Sequence, residues 1–155
     1  MPVKPIPEGY HTISPSLTID GAAEAIEFYK RAFGATERMR MAMPDGKIGH
    51  AELDIGDSVV MLNDAIPQSS VQPPKQLGGT SVSVFLYVDD VDSVVQDAID
   101  AGATVTMPVA DQFWGDRFGT VSDPFGHHWA IATHVEDLTP EEIAARGQEA
   151  MASTG

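Results

Sequence analysis

The stretches Leu17-Thr18-Ile19-Asp20 and Leu86-Tyr87-Val88-Asp89 open two similar halves of the chain. Each is followed by a helical pattern that ends at a Gly-Ala pair, Gly34-Ala35 in the first half and Gly102-Ala103 in the second. Corresponding positions lie about 68–70 residues apart, which is too long an offset for a solenoid repeat. The spacing therefore predicts a duplicated unit of one strand, one helix and three further strands.

The repeat predicts an α+β fold in which two βαβββ units pair and their curved sheets enclose a pocket, because neither unit can bury a sheet face alone. Together they form one domain. We expect the following divisions: an N-terminal tail (1–9), the first unit (10–63), a linker rich in Pro, Gln and Gly (64–80), the second unit (81–135), and a C-terminal helix and tail (136–155).

Local patterns give more detailed expectations. The alternation from Tyr10 to Ile19 predicts a half-buried first strand, and Asp20 is a suitable N-cap for the helix after it. Thr139-Pro140-Glu141-Glu142 is a capping box with proline at the first helical position, which predicts a C-terminal helix.

Composition excludes several functions. The 155 residues carry a net charge of −14, so the chain has no basic stripe for nucleic acid or for an anionic membrane surface. There is no cysteine, which excludes disulfides, thiolate catalysis and Cys-ligated zinc. No signal-peptide pattern is visible at residues 1–9, and no apolar run approaches the length of a membrane span. We expect a cytoplasmic protein.

Three motifs resemble the vicinal oxygen chelate superfamily, which includes glyoxalase I, bleomycin-resistance proteins and extradiol dioxygenases. The motifs are the helical stretch from Ala25 to Ala35, Trp114-Gly115-Asp116-Arg117-Phe118-Gly119, and Asp123-Pro124-Phe125-Gly126-His127. The stretch His50-Ala51-Glu52-Leu53 and the overall layout look most like the PhnB-like subgroup. The resemblance implies the paired βαβββ fold over Tyr10 to about Val135.

Enzymes of this superfamily usually hold a divalent metal with one His or Glu from the first and last strand of each unit. The resemblance assigns these positions to Ser14, Met61, Ser83 and Ala130. Serine hydroxyls are poor ligands at neutral pH, methionine prefers soft metals and alanine cannot ligate. We therefore expect no metal at these positions and no cofactor.

Strand parity predicts what faces the pocket. The two-residue turn Gly56-Asp57 sets Glu52 opposite Met61 and His50 opposite Asn63. In the second unit we expect Gly119 opposite Ala130 and Val121 opposite His128, which places Arg117 in the same pocket as Glu52. The candidate ligand-binding residues are Ser14, Ser16, His50, Glu52, Met61, Asn63, Ser83, Phe85, Tyr87, Trp114, Arg117, His128 and Ala130.

Each of these residues has a structural alternative. Three interpretations of His50 and Glu52 stay open: two metal ligands, a base with its partner in the pocket, or polar residues on a half-exposed strand face. His128 has two interpretations, a metal ligand or a residue that hydrogen-bonds locally beside the turn. Arg117 clamps an anionic group or pairs with Glu52 or Asp116. The rings of Phe85, Tyr87, Trp114 and Phe118 stack on a planar ligand or belong to the core.

The sequence favours a metal-free small-molecule binding protein, and the resemblance to the bleomycin-resistance type implies that it sequesters a natural product or antibiotic. One alternative is a lyase, isomerase or dioxygenase that uses a divalent metal at a relocated site. A second is a structural or regulatory homodimer with a vestigial cavity. In every case we expect a homodimer, because two-fold pairing covers exposed sheet edges and apolar faces.

Overall fold

The computed structural model describes residues 2–153 and contains the two predicted units in sequence. The first unit consists of β1 (Ser16–Ile19), α1 (Ala22–Phe33), β2 (Thr36–Ala42), β3 (Ile48–Ile55) and β4 (Ser58–Asp64). A short helix, α2 (Pro74–Leu77), lies between the units. The second unit consists of β5 (Ser83–Tyr87), α3 (Val91–Ala101), β6 (Thr104–Asp111), β7 (Asp116–Ser122) and β8 (His128–His134), followed by α4 (Pro140–Ser153).

Each unit forms a four-stranded mixed sheet, and the two sheets have equivalent strand orders. The orders are β1-β4-β3-β2 and β5-β8-β7-β6. In each sheet the opening strand pairs parallel with the last strand, and the remaining pairs are antiparallel. The equivalent topology confirms the predicted α+β fold of two βαβββ units.

The core lies between the helices and one face of each sheet. Ile26 and Tyr29 of α1 are fully buried and Val60 of β4 is 3% exposed, as helical and strand periodicity predict. Alternate residues of β3 point to the same side, so Ala51 and Leu53 are also fully buried. The helices α1 and α3 contact each other, which joins the two units into one core.

The start of the first unit differs from the prediction. β1 begins at Ser16 rather than Tyr10, and Ile13 is 83% exposed. The N-cap of α1 is Gly21 rather than Asp20, and the Asp64 side chain accepts hydrogen bonds from the backbone N–H groups of Gly21 and Ala22. The carboxylate that satisfies the helix start therefore comes from the end of β4.

The register of the second hairpin also differs from the prediction. Gly119 lies opposite Ile131 rather than Ala130, and Val121 lies opposite Trp129 rather than His128. The reason is the turn, in which the Asp123 carboxylate accepts hydrogen bonds from the backbone N–H groups of Phe125 and His127. Residues 123–127 form the loop, and its length shifts the pairing by one residue.

The C-terminal helix forms as predicted. The Thr139 hydroxyl accepts a hydrogen bond from the Glu142 backbone N–H, which is the predicted capping contact. Gly147 packs against the ring of Phe113, where an added Cβ would lie 3.1 Å from a ring carbon. Within residues 2–153, no helix is long and apolar enough to cross a membrane.

Candidate functional site

The helices cover one face of each sheet, and the opposite faces carry most of the candidate site residues. In the first sheet, one row across the strands consists of Met39, Glu52, Met61 and Ser16. In the second sheet, the corresponding rows contain Phe85 beside Ala130 and Tyr87 beside Ala132. We call these surfaces the open face of the first sheet and the open face of the second sheet.

Four aromatic side chains form a continuous surface on the open face of the second sheet. The ring centroids of Phe85 and Tyr87 are 4.9 Å apart, those of Phe85 and Phe118 are 5.8 Å apart, and those of Phe118 and Trp114 are 5.4 Å apart. Phe85 is 48% exposed and Tyr87 is 61% exposed. We call these four residues the aromatic platform.

The pattern of side-chain sizes on β5, β7 and β8 explains the platform. Ala132 of β8 lies between Tyr87 of β5 and Phe118 of β7, and Ala130 lies next to Phe85. The small side chains let the neighbouring rings lean over the central strand, and both alanines are buried. The predicted site residue Ala130 therefore contributes the floor of the platform.

The platform ends at a buried carboxylate, that of Asp116, which is 2% exposed. Its Oδ2 accepts hydrogen bonds from the Tyr87 hydroxyl at 2.8 Å and from the Trp114 indole N–H at 3.1 Å. Its Oδ1 lies 2.9 Å from Nδ1 of His134. Burial acts to raise the pKa of Asp116, but the hydrogen bonds from His134, Tyr87 and Trp114 outweigh it and hold the pKa below the ordinary value.

His134 lies between two carboxylates. Its Nε2 is 2.7 Å from Oδ1 of Asp137, a fully exposed residue. The hydrogen bonds to Asp116 and then to Asp137 raise the pKa of His134 above its ordinary value. A cavity of about 480 Å³ adjoins this group and is lined by Tyr87, Val88, Asp89, Thr133 and His134.

A second polar group lies on the open face of the first sheet. Glu52 is 9% exposed, its Oε2 lies 2.8 Å from Nε2 of His50, and its Oε1 accepts a hydrogen bond from the Tyr10 hydroxyl. These hydrogen bonds, first that of Tyr10 and then that of His50, lower the pKa of Glu52. The predicted pairing of Glu52 with Met61 across the hairpin is confirmed.

Arg117 lies on the helix side of the second sheet and does not share a pocket with Glu52. Its guanidinium contacts Asp92 of α3 at 2.7 Å and Asp111 of β6 at 3.2 Å. The predicted combination of Arg117 and Glu52 in one cavity was wrong, because the one-residue shift of the second hairpin moves Arg117 to the other face of its sheet.

The remaining predicted site residues lie on the open faces or at their edges. Ser14 precedes β1 and lines the same cavity as Glu52 and Met61, while Ser16 lies directly opposite Met61. The Asn63 side chain donates a hydrogen bond to the backbone carbonyl of Asp64. Ser83 lies opposite His128 at the far end of the second sheet from Asp116.

Comparison with known proteins identifies the family. The sequence profile of the Glyoxalase/Bleomycin resistance protein/Dioxygenase superfamily matches residues 11–131. The chain belongs to this superfamily. An uncharacterised protein of Mycobacterium bovis is 49% identical over 146 residues, which cover 92% of this chain and 93% of the relative.

Solved structures of the superfamily fold agree with this assignment. TioX from Micromonospora superimposes with a TM-score of 0.62 at 30% identity, covering 81% of this chain and 98% of TioX. The PhnB protein of Bacillus cereus superimposes with a TM-score of 0.64 at 17% identity, covering 79% of this chain and 99% of that protein, and this likeness concerns the fold alone.

The residues that the family resemblance assigns to the metal positions do not suit a divalent cation. Ser14, Met61, Ser83 and Ala130 offer no carboxylate and no imidazole. Among residues 2–153, no group of three or more His, Asp and Glu side chains has an arrangement that could hold a metal ion. Both oxygens of Glu52 already have protein partners, Tyr10 and His50.

Sequence reasoning missed three residues that complete the two polar groups. The sequence pattern predicts a strand at Tyr10, and the structure instead places Tyr10 over Glu52. In the sequence Asp116 stands out only as part of a family motif, although its position two residues after Trp114 and two residues before Phe118 is a signal for a polar group next to aromatic rings. His134 ends β8, and no sequence spacing marks its contact with Asp116.

Proposed function

We propose that the chain is a metal-free small-molecule binding protein whose ligand is a flat aromatic molecule that stacks on the aromatic platform. The observation that carries this proposal is the contact among four aromatic rings, of which Phe85 and Tyr87 are about half exposed. Aromatic rings in contact bind flat rings by offset or edge-to-face stacking. The rings of the platform pack above the buried alanines Ala130 and Ala132, which hold them in place for a ligand to stack on.

The charge around the platform favours a cationic ligand. Residues 81–155 contain 13 acidic and two basic side chains, so this half carries most of the net charge of −14. At the polar end of the platform, His134 lies between the carboxylates of Asp116 and Asp137. Even when the imidazole is protonated, these three side chains sum to one negative charge. A cation over aromatic faces gains a further attraction to the ring electrons.

We also infer that a second copy of the chain covers part of the open faces. The edge strands β2 and β6 are exposed along almost their whole length. Met39, Met41 and Met43 are 42–50% exposed on or just beyond β2. Unpaired edges and exposed apolar side chains of this kind are usually covered in oligomers. A mass in solution equal to one chain at micromolar concentration would contradict the homodimer.

The cytoplasmic location also stays a prediction.

The proposed ligand class is tested with proflavine, a planar cation, by fluorescence titration in buffer that contains a chelator. We expect saturable binding by the wild-type chain. Phe85→Ala should weaken it by about tenfold or more, because an aromatic contact with a flat ring contributes about 1–3 kcal/mol.

The control variant is Ile99→Ala, which removes an apolar side chain that is 39% exposed on α3, away from the platform. This variant should bind proflavine as the wild type does. Anthracene-9-carboxylate, a planar anion, should bind more weakly than proflavine. Equal effects of Phe85→Ala and Ile99→Ala, or binding that requires an added metal ion, would overturn the proposal.

A further inference from the structure

The chain before β1 crosses the open face of the first sheet. The aromatic platform, in contrast, belongs to the second unit. We call residues 2–15 the strap. Its residues Pro5, Ile6, Pro7, Tyr10, His11, Thr12 and Ser14 form a cavity of about 500 Å³ together with Glu52 and Met61 of the sheet.

Only a few contacts hold the strap in place. The Tyr10 hydroxyl donates to Glu52, and the Tyr10 ring lies 4.8 Å from the Arg38 guanidinium, which is itself paired with Asp54 at 2.9 Å. His11 Nε2 lies 3.1 Å from the backbone carbonyl of Asp57. Residues 2–9 are exposed throughout. Segments with little buried apolar surface open locally at low cost in free energy.

Backbone hydrogen bonds anchor one end of the strap and shape the turn before Tyr10. Pro15 accepts a hydrogen bond from the Met61 backbone N–H, and this contact fixes the end of the strap to β4. At the other side of Tyr10, Gly9 has a φ of 86°, and the Tyr10 N–H bonds to the Pro7 carbonyl to close a turn. Glycine adopts this left-handed conformation without the cost that a Cβ imposes. The turn presents the Tyr10 ring to Glu52.

Tyr10 contacts the sheet as a bound ligand would. Glu52 is a nearly buried carboxylate, and His50 already occupies its other oxygen. The remaining oxygen accepts a hydrogen bond, and the strap supplies the donor on the flat ring of Tyr10. Glu52 also raises the pKa of Tyr10, chiefly through this hydrogen bond, so the phenol stays protonated as a donor.

We propose that Glu52 and His50 form a second binding site, one for phenols, and that Tyr10 occupies this site in the closed position of the strap. A phenol that arrives from solution displaces Tyr10 and opens the strap. This site is separate from the aromatic platform, since the residues that line its cavity come from the strap and the first unit.

The test uses p-cresol, which reproduces the Tyr10 side chain, with toluene as the matched probe that lacks the hydroxyl. Binding is measured by NMR titration of the ¹⁵N-labelled chain. Tyr10→Ala should strengthen p-cresol binding by about tenfold, the gain expected if the strap is closed nine-tenths of the time. Toluene should bind Tyr10→Ala at least tenfold more weakly than p-cresol does, because it has no hydroxyl to donate to Glu52. Val3→Ala, an exposed change on the strap, should leave p-cresol affinity unchanged.

The motion of the strap gives a second readout. The ¹⁵N order parameters of Gly9 and Thr12 should fall in Tyr10→Ala and in the wild type saturated with p-cresol, since both lack the contact with Glu52. The proposal is overturned if the folded Tyr10→Ala variant binds p-cresol no better than the wild type. It is equally overturned if toluene binds Tyr10→Ala as tightly as p-cresol does, because the hydrogen bond to Glu52 would then play no part.

Discussion

Tyr29 of α1 donates a hydrogen bond to Asp123 at 2.6 Å across 94 residues of sequence, and this contact ties the first unit to the turn of the second. The same Asp123 oxygen accepts from the Trp129 indole at 3.0 Å, and the other oxygen holds the turn. Burial and the adjacent carboxylate raise the pKa of Tyr29 well above its ordinary value, so its hydroxyl remains a donor at neutral pH. One buried aspartate therefore sets both the junction of the units and the register of β7 and β8.

Tyr29→Phe should lower the free energy of unfolding by about 1–3 kcal/mol, because it leaves a buried carboxylate oxygen with one partner fewer. Urea denaturation measures the change, and the slope against urea should stay as in the wild type. Thr106→Val removes an exposed hydroxyl bonded to Thr120 and serves as the control, with a change within about 0.5 kcal/mol. Equal changes in the two variants would contradict the role of the Tyr29 contact.

His134 should titrate above about 6.5, the ordinary value for histidine, in an NMR titration of its ring protons. Asp116→Asn should lower the pKa of His134 more than Asp137→Asn, since Asp116 is buried and Asp137 is fully exposed. A wild-type pKa at or below the ordinary value would show that the imidazole does not bond to the two carboxylates in solution.

The signs of these shifts fix how stability depends on pH. The pKa of His134 is raised on folding, so its stabilising contribution is present below the pKa of unfolded histidine and disappears as pH rises through the folded value. The pKa of Asp116 is lowered, so its contribution is present above the unfolded value and disappears as pH falls through the folded value. Thermal unfolding measured across pH should show the wild type losing stability as pH rises through the folded pKa of His134. His134→Ala should not show this loss.

Arg117→Ala should leave proflavine affinity within about twofold of the wild type, because Arg117 pairs with Asp92 and Asp111 on the helix side of the sheet. Its ion pairs are partly exposed, so the change should also have little effect on stability. The fluorescence titration used for Phe85→Ala measures the affinity. Loss of proflavine binding in folded Arg117→Ala would contradict this prediction and show that Arg117 takes part in ligand binding.

Asp64→Ala should lower the free energy of unfolding by about 1–3 kcal/mol, because three backbone N–H groups lose their acceptor. These are the N–H groups of Gly21, Ala22 and Ile48, at 3.1, 3.0 and 2.7 Å from the carboxylate. Asp64→Asn keeps one oxygen and should cost less in the same urea denaturation. Equal losses of stability in the two variants would contradict the role of these hydrogen bonds, because the oxygen that asparagine keeps would then contribute nothing.

Much of the fold follows from local patterns. The alternation of β3 and the two-residue turn at Gly56 and Asp57 leave a single register, so the pairing of Glu52 with Met61 could be predicted. The register of the second hairpin could not be predicted, because it depends on hydrogen bonds that the Asp123 carboxylate accepts from backbone N–H groups of the turn. A shift of one residue then moved Arg117 to the other face.

The polar groups of the site were harder to predict for a similar reason. Tyr10 has the alternation of a strand, but the strand begins only at Ser16, and Tyr10 contacts Glu52 across 42 residues of sequence. Asp116 and His134 meet because two antiparallel strands place them opposite each other. Such contacts depend on tertiary structure, which residue spacing along the chain does not contain.

The most direct test of metal-free binding on the second sheet is NMR mapping of proflavine on the ¹⁵N-labelled wild-type chain in buffer with a chelator. Saturable shifts should concentrate at the amides of Phe85, Tyr87, Ala130, Ala132 and His134. Absence of binding until a divalent metal is added, or shifts that concentrate away from these residues, would contradict a flat ligand on the aromatic platform.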